Sequence, residues 1–119
     1  WRLALPAVVA RDAPLSFRSW TPGEALQPDL LNIPAPAARA DVVPEVIITP
    51  FVGYDRAGYR LGNGGGYYDR SLPALPRRPL LVAVGDSHGA LRSIYPQLHD
   101  IPMQAVVTEQ GVHEIPSYA

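Results

Sequence analysis

The sequence predicts an α/β domain built on a largely parallel sheet, and three observations lead there. "VIITPFVGY" (46–54) is continuously apolar and rich in β-branched residues, which suits a strand buried on both faces. "PLLVAVGD" (79–86) is a second, clearer run of the same kind, and "MQAVVTE" (103–109) reads as a last strand. Glycine-rich turns and short helical stretches separate the three, the alternation that favours parallel pairing through crossovers. At 119 residues the chain fits a single domain, residues 1–119, with a core of modest size.

The elements follow in order. "LALPAVV" (3–9) is an apolar run of strand length, and "LSFRSW" (15–20) alternates with period two. With the turn signal "ARDAP" between them, the two predict a hairpin. Residues 21–44 show no sustained periodicity: "TPGEAL" suggests a short helical turn and "NIPAPAARAD" a proline-punctuated loop. After the strand at 46–54, "DRAG" is a turn, followed by "RLGNGGG". "YYDRSLPAL" then starts a helix with Asp69 near its N-terminus, kept short by Pro73. "SHGALRSIYPQL" reads as a loop with at most one helical turn.

Composition excludes several chemistries. All 10 basic residues are Arg, so no Schiff-base lysine and no lysine-tipped phosphate loop exists in this chain. With no Cys, disulfides, thiolate metal sites and a cysteine nucleophile are absent. A net charge of −1 disfavours nucleic acid as a partner. No apolar run approaches the ~18 residues of a membrane span and no signal-peptide pattern opens the chain, so the expectation is a cytoplasmic protein that does not engage membranes.

The stretch "RLGNGGGYYDR" (60–70) carries the chemistry. Glycines at 62, 64, 65 and 66 leave backbone N–H groups unshielded just ahead of a helix start, an arrangement that binds phosphate. Arg60 and Arg70 flank it, Tyr67 and Tyr68 offer flat faces, and Asp69 is placed as a Mg²⁺ ligand beside phosphate oxygens. The plain alternative is a glycine turn that reverses the chain. No Gly-Lys-Ser/Thr follows, and the spacing is G-x-G-G-G rather than G-x-G-x-x-G. Spacing alone leaves both readings open.

Together with "FVGYDRAGY" before it and "LHDIPMQAVVTE" after it, this stretch closely resembles the 5-formyltetrahydrofolate cyclo-ligase (5,10-methenyltetrahydrofolate synthetase) family. "LALPAVV", "LSFRSW" and "NIPAP" match preceding blocks of that family in the same order, so the resemblance covers nearly the whole chain. It implies a three-layer α/β/α fold with a mostly parallel central sheet. It also implies conversion of 5-formyltetrahydrofolate to 5,10-methenyltetrahydrofolate with ATP and Mg²⁺, releasing ADP and phosphate. Carried over by position, Arg60, Leu61, Gly62, Asn63, Gly64, Gly65, Gly66, Tyr67 and Tyr68 fall on the ATP-binding segment. Asn63, Gly64, Gly65, Gly66 and Tyr67 also fall on the folate-contacting segment, and Asp69 and Asp100 on the Mg²⁺ positions. Asp100 has an ordinary alternative as a surface turn residue.

Two departures qualify the resemblance. The family carries an N-terminal portion of helices and a strand with basic and acidic substrate contacts, and nothing here corresponds to it. The chain is accordingly read as the C-terminal two-thirds of a cyclo-ligase-like domain. Ala35 also stands where many relatives have Glu or Gln. The alternative function is a nucleotide- or folate-binding relative without turnover. No residue stands out as a catalytic nucleophile. His88, His99 and His113 lack metal-ligand spacing, the serines lack a nucleophile elbow, and Trp20 reads as a packed anchor. Asp86, at the end of a strand, suits either a ligand loop or a cap.

Overall fold

The computed structural model describes residues 1–62, 66–96 and 100–116. The opening hairpin is as the alternation predicts. β1 (Leu3–Ala7) pairs antiparallel with β2 (Ser16–Trp20), Leu3 opposite Trp20 and Ala7 opposite Ser16. Asp12, at φ 52°, takes the left-handed position in the connecting turn that an Asp side chain tolerates.

Residues 21–44 are more ordered than their pattern suggests. "TPGEAL" forms a turn closed by the Glu24 amide donating to the Thr21 carbonyl, and no helix. Beyond it, β3 (Leu26–Pro28) pairs antiparallel with β4 (Pro34–Pro36). Asp29 makes that second hairpin: its Oδ1 accepts from the amides of Leu31 and Ile33, and its Oδ2 from the Val8 amide. Burial pushes against ionisation, but these N–H bonds and the charge of Arg18 outweigh it and hold the carboxyl below its usual range. A side-chain-made turn leaves no hydrophobic period to read.

The main sheet has the order β10-β9-β8-β5. β5 (Val46–Pro50) and β8 (Leu80–Val84) are parallel, as are β8 and β9 (Ala105–Thr108), while β10 (Gly111–Glu114) returns antiparallel from β9. The sheet is therefore mixed, with its parallel part in the predicted strands. The run at 46–54 is not one strand. It ends at Pro50, and Gly53–Tyr54 forms β6, paired with β7 (Arg60–Leu61) in a small hairpin. The helix α1 (Tyr67–Ala74) crosses from that hairpin toward β8 and contains Pro73.

Among the described residues, one face of the main sheet is covered. Ile47, Leu81, Ala83 and Val106 point to the core, where they meet Phe17, Leu72 and Met103. Alternate residues Val46, Ile48, Leu80, Val84 and Val112 share the other face and are exposed, Ile48 by 67% and Val112 by 66%. Burial of β5 and β8 on both faces is thus corrected to burial on one. Among the described residues one helix packs on the sheet, so they contain two of the three layers implied by the resemblance.

Candidate functional site

The site grows from the carboxyl end of β5. Phe51 lies under Gly85, where a Cβ would fall 2.7 Å from its ring, so only glycine admits this packing. The ring meets Tyr54 edge to face with centroids 4.9 Å apart. β6 and β7 then fold about Asp55, which is buried at 4% exposure. Its Oδ1 accepts from the Ala57 and Tyr59 amides at 3.1 Å, and its Oδ2 from the Ile94 amide at 3.3 Å. One carboxylate therefore shapes the hairpin turn and pins a second segment to it. In the sequence Asp55 was legible as a turn residue, and nothing there pointed to its bond with a residue 39 positions on.

Arg60, on β7, is turned inward. It is 8% exposed, its Nη1 donates to the Pro50 carbonyl at 3.3 Å, and its guanidinium lies 5.0 Å from the centre of the Tyr68 ring. Its Nε has no hydrogen-bond partner among the described residues. Burial raises the Tyr68 hydroxyl above the ordinary tyrosine range, and the Arg60 charge partly offsets that. A Cβ on Gly62 would lie 2.8 Å from Arg60 Nη1, so the loop leaves β7 directly over the guanidinium. Leu61 is exposed.

Asn63, Gly64 and Gly65 lie outside the described residues. The chain is described again at Gly66, which has φ 65° and caps α1 with no side-chain hydrogen bond. The bare N-terminus of α1 therefore follows the glycine stretch, with Tyr67 and Tyr68 half-buried in its first turn. Ser71 fixes the helix, bonding the Tyr67 carbonyl through its hydroxyl and accepting from the Leu15 amide at 2.8 Å. Arg70, on the exposed side, lies 3.9 Å from Asp12.

Asp69 is in that same first turn, and its Oδ1 accepts from the Ile101 amide at 3.4 Å. This contact carries the segment of Asp100 to the start of α1. The backbone next to Asp100 is thus brought to Asp69, 31 residues before it in the sequence, and both residues are half-buried. A carboxylate in the first turn of a helix is an oxygen donor of the kind a hard divalent cation takes. No group of three or more His, Cys, Asp or Glu side chains among the described residues is placed to hold a metal ion. His99 lies outside those residues. Asp86 caps the short turn Ser87–Gly89, accepting from the His88 amide. Ala35 is buried in β4. No described helix is long and apolar enough to cross a membrane.

Residues 2–109 match the model of the 5-formyltetrahydrofolate cyclo-ligase family. The chain is 34% identical over 116 residues to the 5-formyltetrahydrofolate cyclo-ligase of Mycolicibacterium smegmatis, covering 90% of this chain and 59% of the relative. It is 36% identical over 107 residues to that of Escherichia coli K12, covering 84% and 58%. Among solved structures, it is similar to the Aquifex aeolicus 5,10-methenyltetrahydrofolate synthetase with a TM-score of 0.78 and 32% identity, over 99% of this chain and 60% of that one. The chain spans about six-tenths of the length of these relatives.

Proposed function

Because this chain belongs to the 5-formyltetrahydrofolate cyclo-ligase family, we propose that it serves the ATP- and Mg²⁺-dependent conversion of 5-formyltetrahydrofolate to 5,10-methenyltetrahydrofolate, with release of ADP and phosphate. The observation that carries the proposal is the meeting of Asp69 with the Asp100 segment at the N-terminus of α1. Phosphate oxygens are favoured at that terminus, and Asp69 and Asp100 are the groups that would hold Mg²⁺. Bound there, the ion would neutralise phosphate charge. The segment from Arg60 to Tyr68 would receive ATP, and its part from Asn63 to Tyr67 would also contact the folate. Arg60 serves by holding Tyr68 and the start of the loop, since its charge is already engaged inside the fold. Arg70, exposed at the end of the first turn and 3.9 Å from Asp12, is the cation that would turn toward a phosphate. The chemistry of the reaction is phosphorylation of the formyl oxygen followed by ring closure from N10, and the chain's task is positioning and charge stabilisation.

A second reading, binding without turnover, has one observation in its favour. Of the two arginines that flank the loop, Arg60 is buried and committed to Pro50 and Tyr68, so the cationic help for a transferring phosphoryl group is thin. One stabiliser of that kind is commonly worth about 10²–10³ in rate.

Titrating the 119-residue protein with ATP in the presence and absence of Mg²⁺, then assaying methenyl product by absorbance, tests both. The proposal expects Mg²⁺-dependent ATP binding that Asp69→Asn weakens about tenfold or more. Turnover of 5-formyltetrahydrofolate selects the first reading, and binding with no turnover the second. Equal Mg²⁺·ATP affinity of the folded Asp69→Asn variant removes Asp69 from the metal site.

A further inference from the structure

A groove of about 810 Å³ opens beside the β6–β7 hairpin, lined by Tyr54, Arg56, Ala90, Leu91, Arg92 and His113. Among the described residues, its lining contains two guanidiniums, an imidazole and a phenol, and no carboxylate. Neither Arg56 nor Arg92 is in an ion pair among the described residues. Two like charges facing one concavity repel, and an arrangement of this kind gains when an anion enters.

The groove is built by the fold. Arg56 sits in the turn shaped by Asp55 Oδ1, and Arg92 lies on the segment tied to Asp55 Oδ2 through the Ile94 amide. The Leu91 amide donates to the Tyr54 carbonyl at 2.8 Å. A Cβ on Gly53 would fall 2.9 Å from Leu91 Cδ1, and one on Gly89 would fall 2.8 Å from the Val52 carbonyl. The two arginine-bearing segments are thus fixed against each other before any ligand arrives, which lowers the ordering cost of binding. Two flexible surface arginines placed by chance would not share one buried carboxylate as their anchor.

We propose that this groove is a binding site for a small organic oligoanion, separate from the glycine loop. Its ligand carries two or more oxyanion groups, carboxylate or phosphate, for Arg56 and Arg92, whose planar forks suit both. An apolar or ring portion lies against Leu91 and Tyr54, and His113 supplies a further hydrogen-bond donor.

Citrate and pyrophosphate are the probes, titrated into ¹⁵N-labelled full chain at low salt. Shifts are expected at the amides of residues 54–56, 90–92 and 113, and the double substitution Arg56→Gln with Arg92→Gln should weaken binding at least about tenfold, as loss of charged hydrogen bonds does. Both arginines are exposed, and circular dichroism checks that the double variant folds; if it does not, Arg92→Gln alone carries the same test. Response to citrate alone assigns a polycarboxylate, to pyrophosphate alone a phosphate ester, and to both the shared oxyanion chemistry. The proposal is overturned if neither probe binds at millimolar concentration, if shifts appear only at residues 60–70, or if the folded variant binds as well as the parent.

Discussion

Gly58 shows how much of this molecule depends on single backbone positions. It has φ 88°, and a Cβ there would lie 2.7 Å from the Met103 carbonyl and 2.8 Å from Ile115 Cγ1. Its carbonyl accepts from the Met103 amide at 2.8 Å, so the hairpin tip is seated on the segment that enters β9. Gly23 has a similar φ of 96° with nothing within 4 Å. Gly58→Ala combines left-handed strain with a clash and is expected to cost about 2–4 kcal/mol, against about 1 kcal/mol for Gly23→Ala. In thermal melts that separates the two by roughly 5 °C or more for a domain of this size. Equal melting temperatures would show that the hairpin tip moves freely. The glycine stretch at 62–66 announced itself in the sequence by density. Gly58, in the plain-looking "DRAG", did not, because the atoms that exclude a Cβ lie on Met103 and Ile115, far along the chain.

Elements differ in how openly the sequence declared them. β1, β2, β8 and β9 were legible because apolar alternation or an apolar run of strand length marks each. β3 and β4 were not, since the turn of Asp29 creates them and proline ends both strands. The turn Ser87–Gly89 was half legible: Asp86 suited a cap or a ligand, and the structure makes it a cap that also bonds the His88 ring. That arrangement has a pH signature. The side-chain bond to Asp86 raises His88 above its usual 6.5, while the bonds from the His88 amide and ring lower Asp86. A raised histidine contributes its stabilisation in full below pH 6.5, and loses it as pH rises through the elevated value. An NMR titration of the His88 ring is expected to show a midpoint above 6.5 that falls back in Asp86→Asn. An unchanged midpoint in that variant would mean that the pair does not form in solution.

At the scale of the whole molecule, the bare sheet face dominates. Val46, Ile48, Leu80, Val84 and Val112 lie exposed on one face of the four-stranded sheet, contributed by β5, β8 and β10. Contiguous apolar patches of this kind mark surfaces that take a partner or self-associate. The 119-residue protein is therefore expected to bind a hydrophobic dye and to scatter light at micromolar concentration. Ile48→Ser with Val112→Ser should lower both signals with little loss of melting temperature, because both residues are mostly exposed. A monodisperse parent that ignores the dye would contradict the exposure of this face. The apolar runs that make the face were plain in the sequence, yet a run cannot say whether one side or both are covered. The candidate site divides similarly. The glycine loop and the two carboxylates could be named, whereas the inward turn of Arg60 and the anchoring by Asp55 depend on contacts between distant segments.

The parallel order of the main sheet also sets a timetable for synthesis. β5 can bond only to β8 within that sheet, and β8 must wait for β9 to complete the core through Val106. About sixty residues separate Ile47 from Val106, or roughly 3–12 s of translation. Until β8 emerges, β5 has no ladder to join in that sheet, and until Val106 emerges its core face stays incomplete, while the early hairpin β1–β2 offers it no strand pairing. The nascent chain therefore passes through a window in which this β-branched segment is open to chaperones or to other nascent chains, and the window closes only when Val106 emerges.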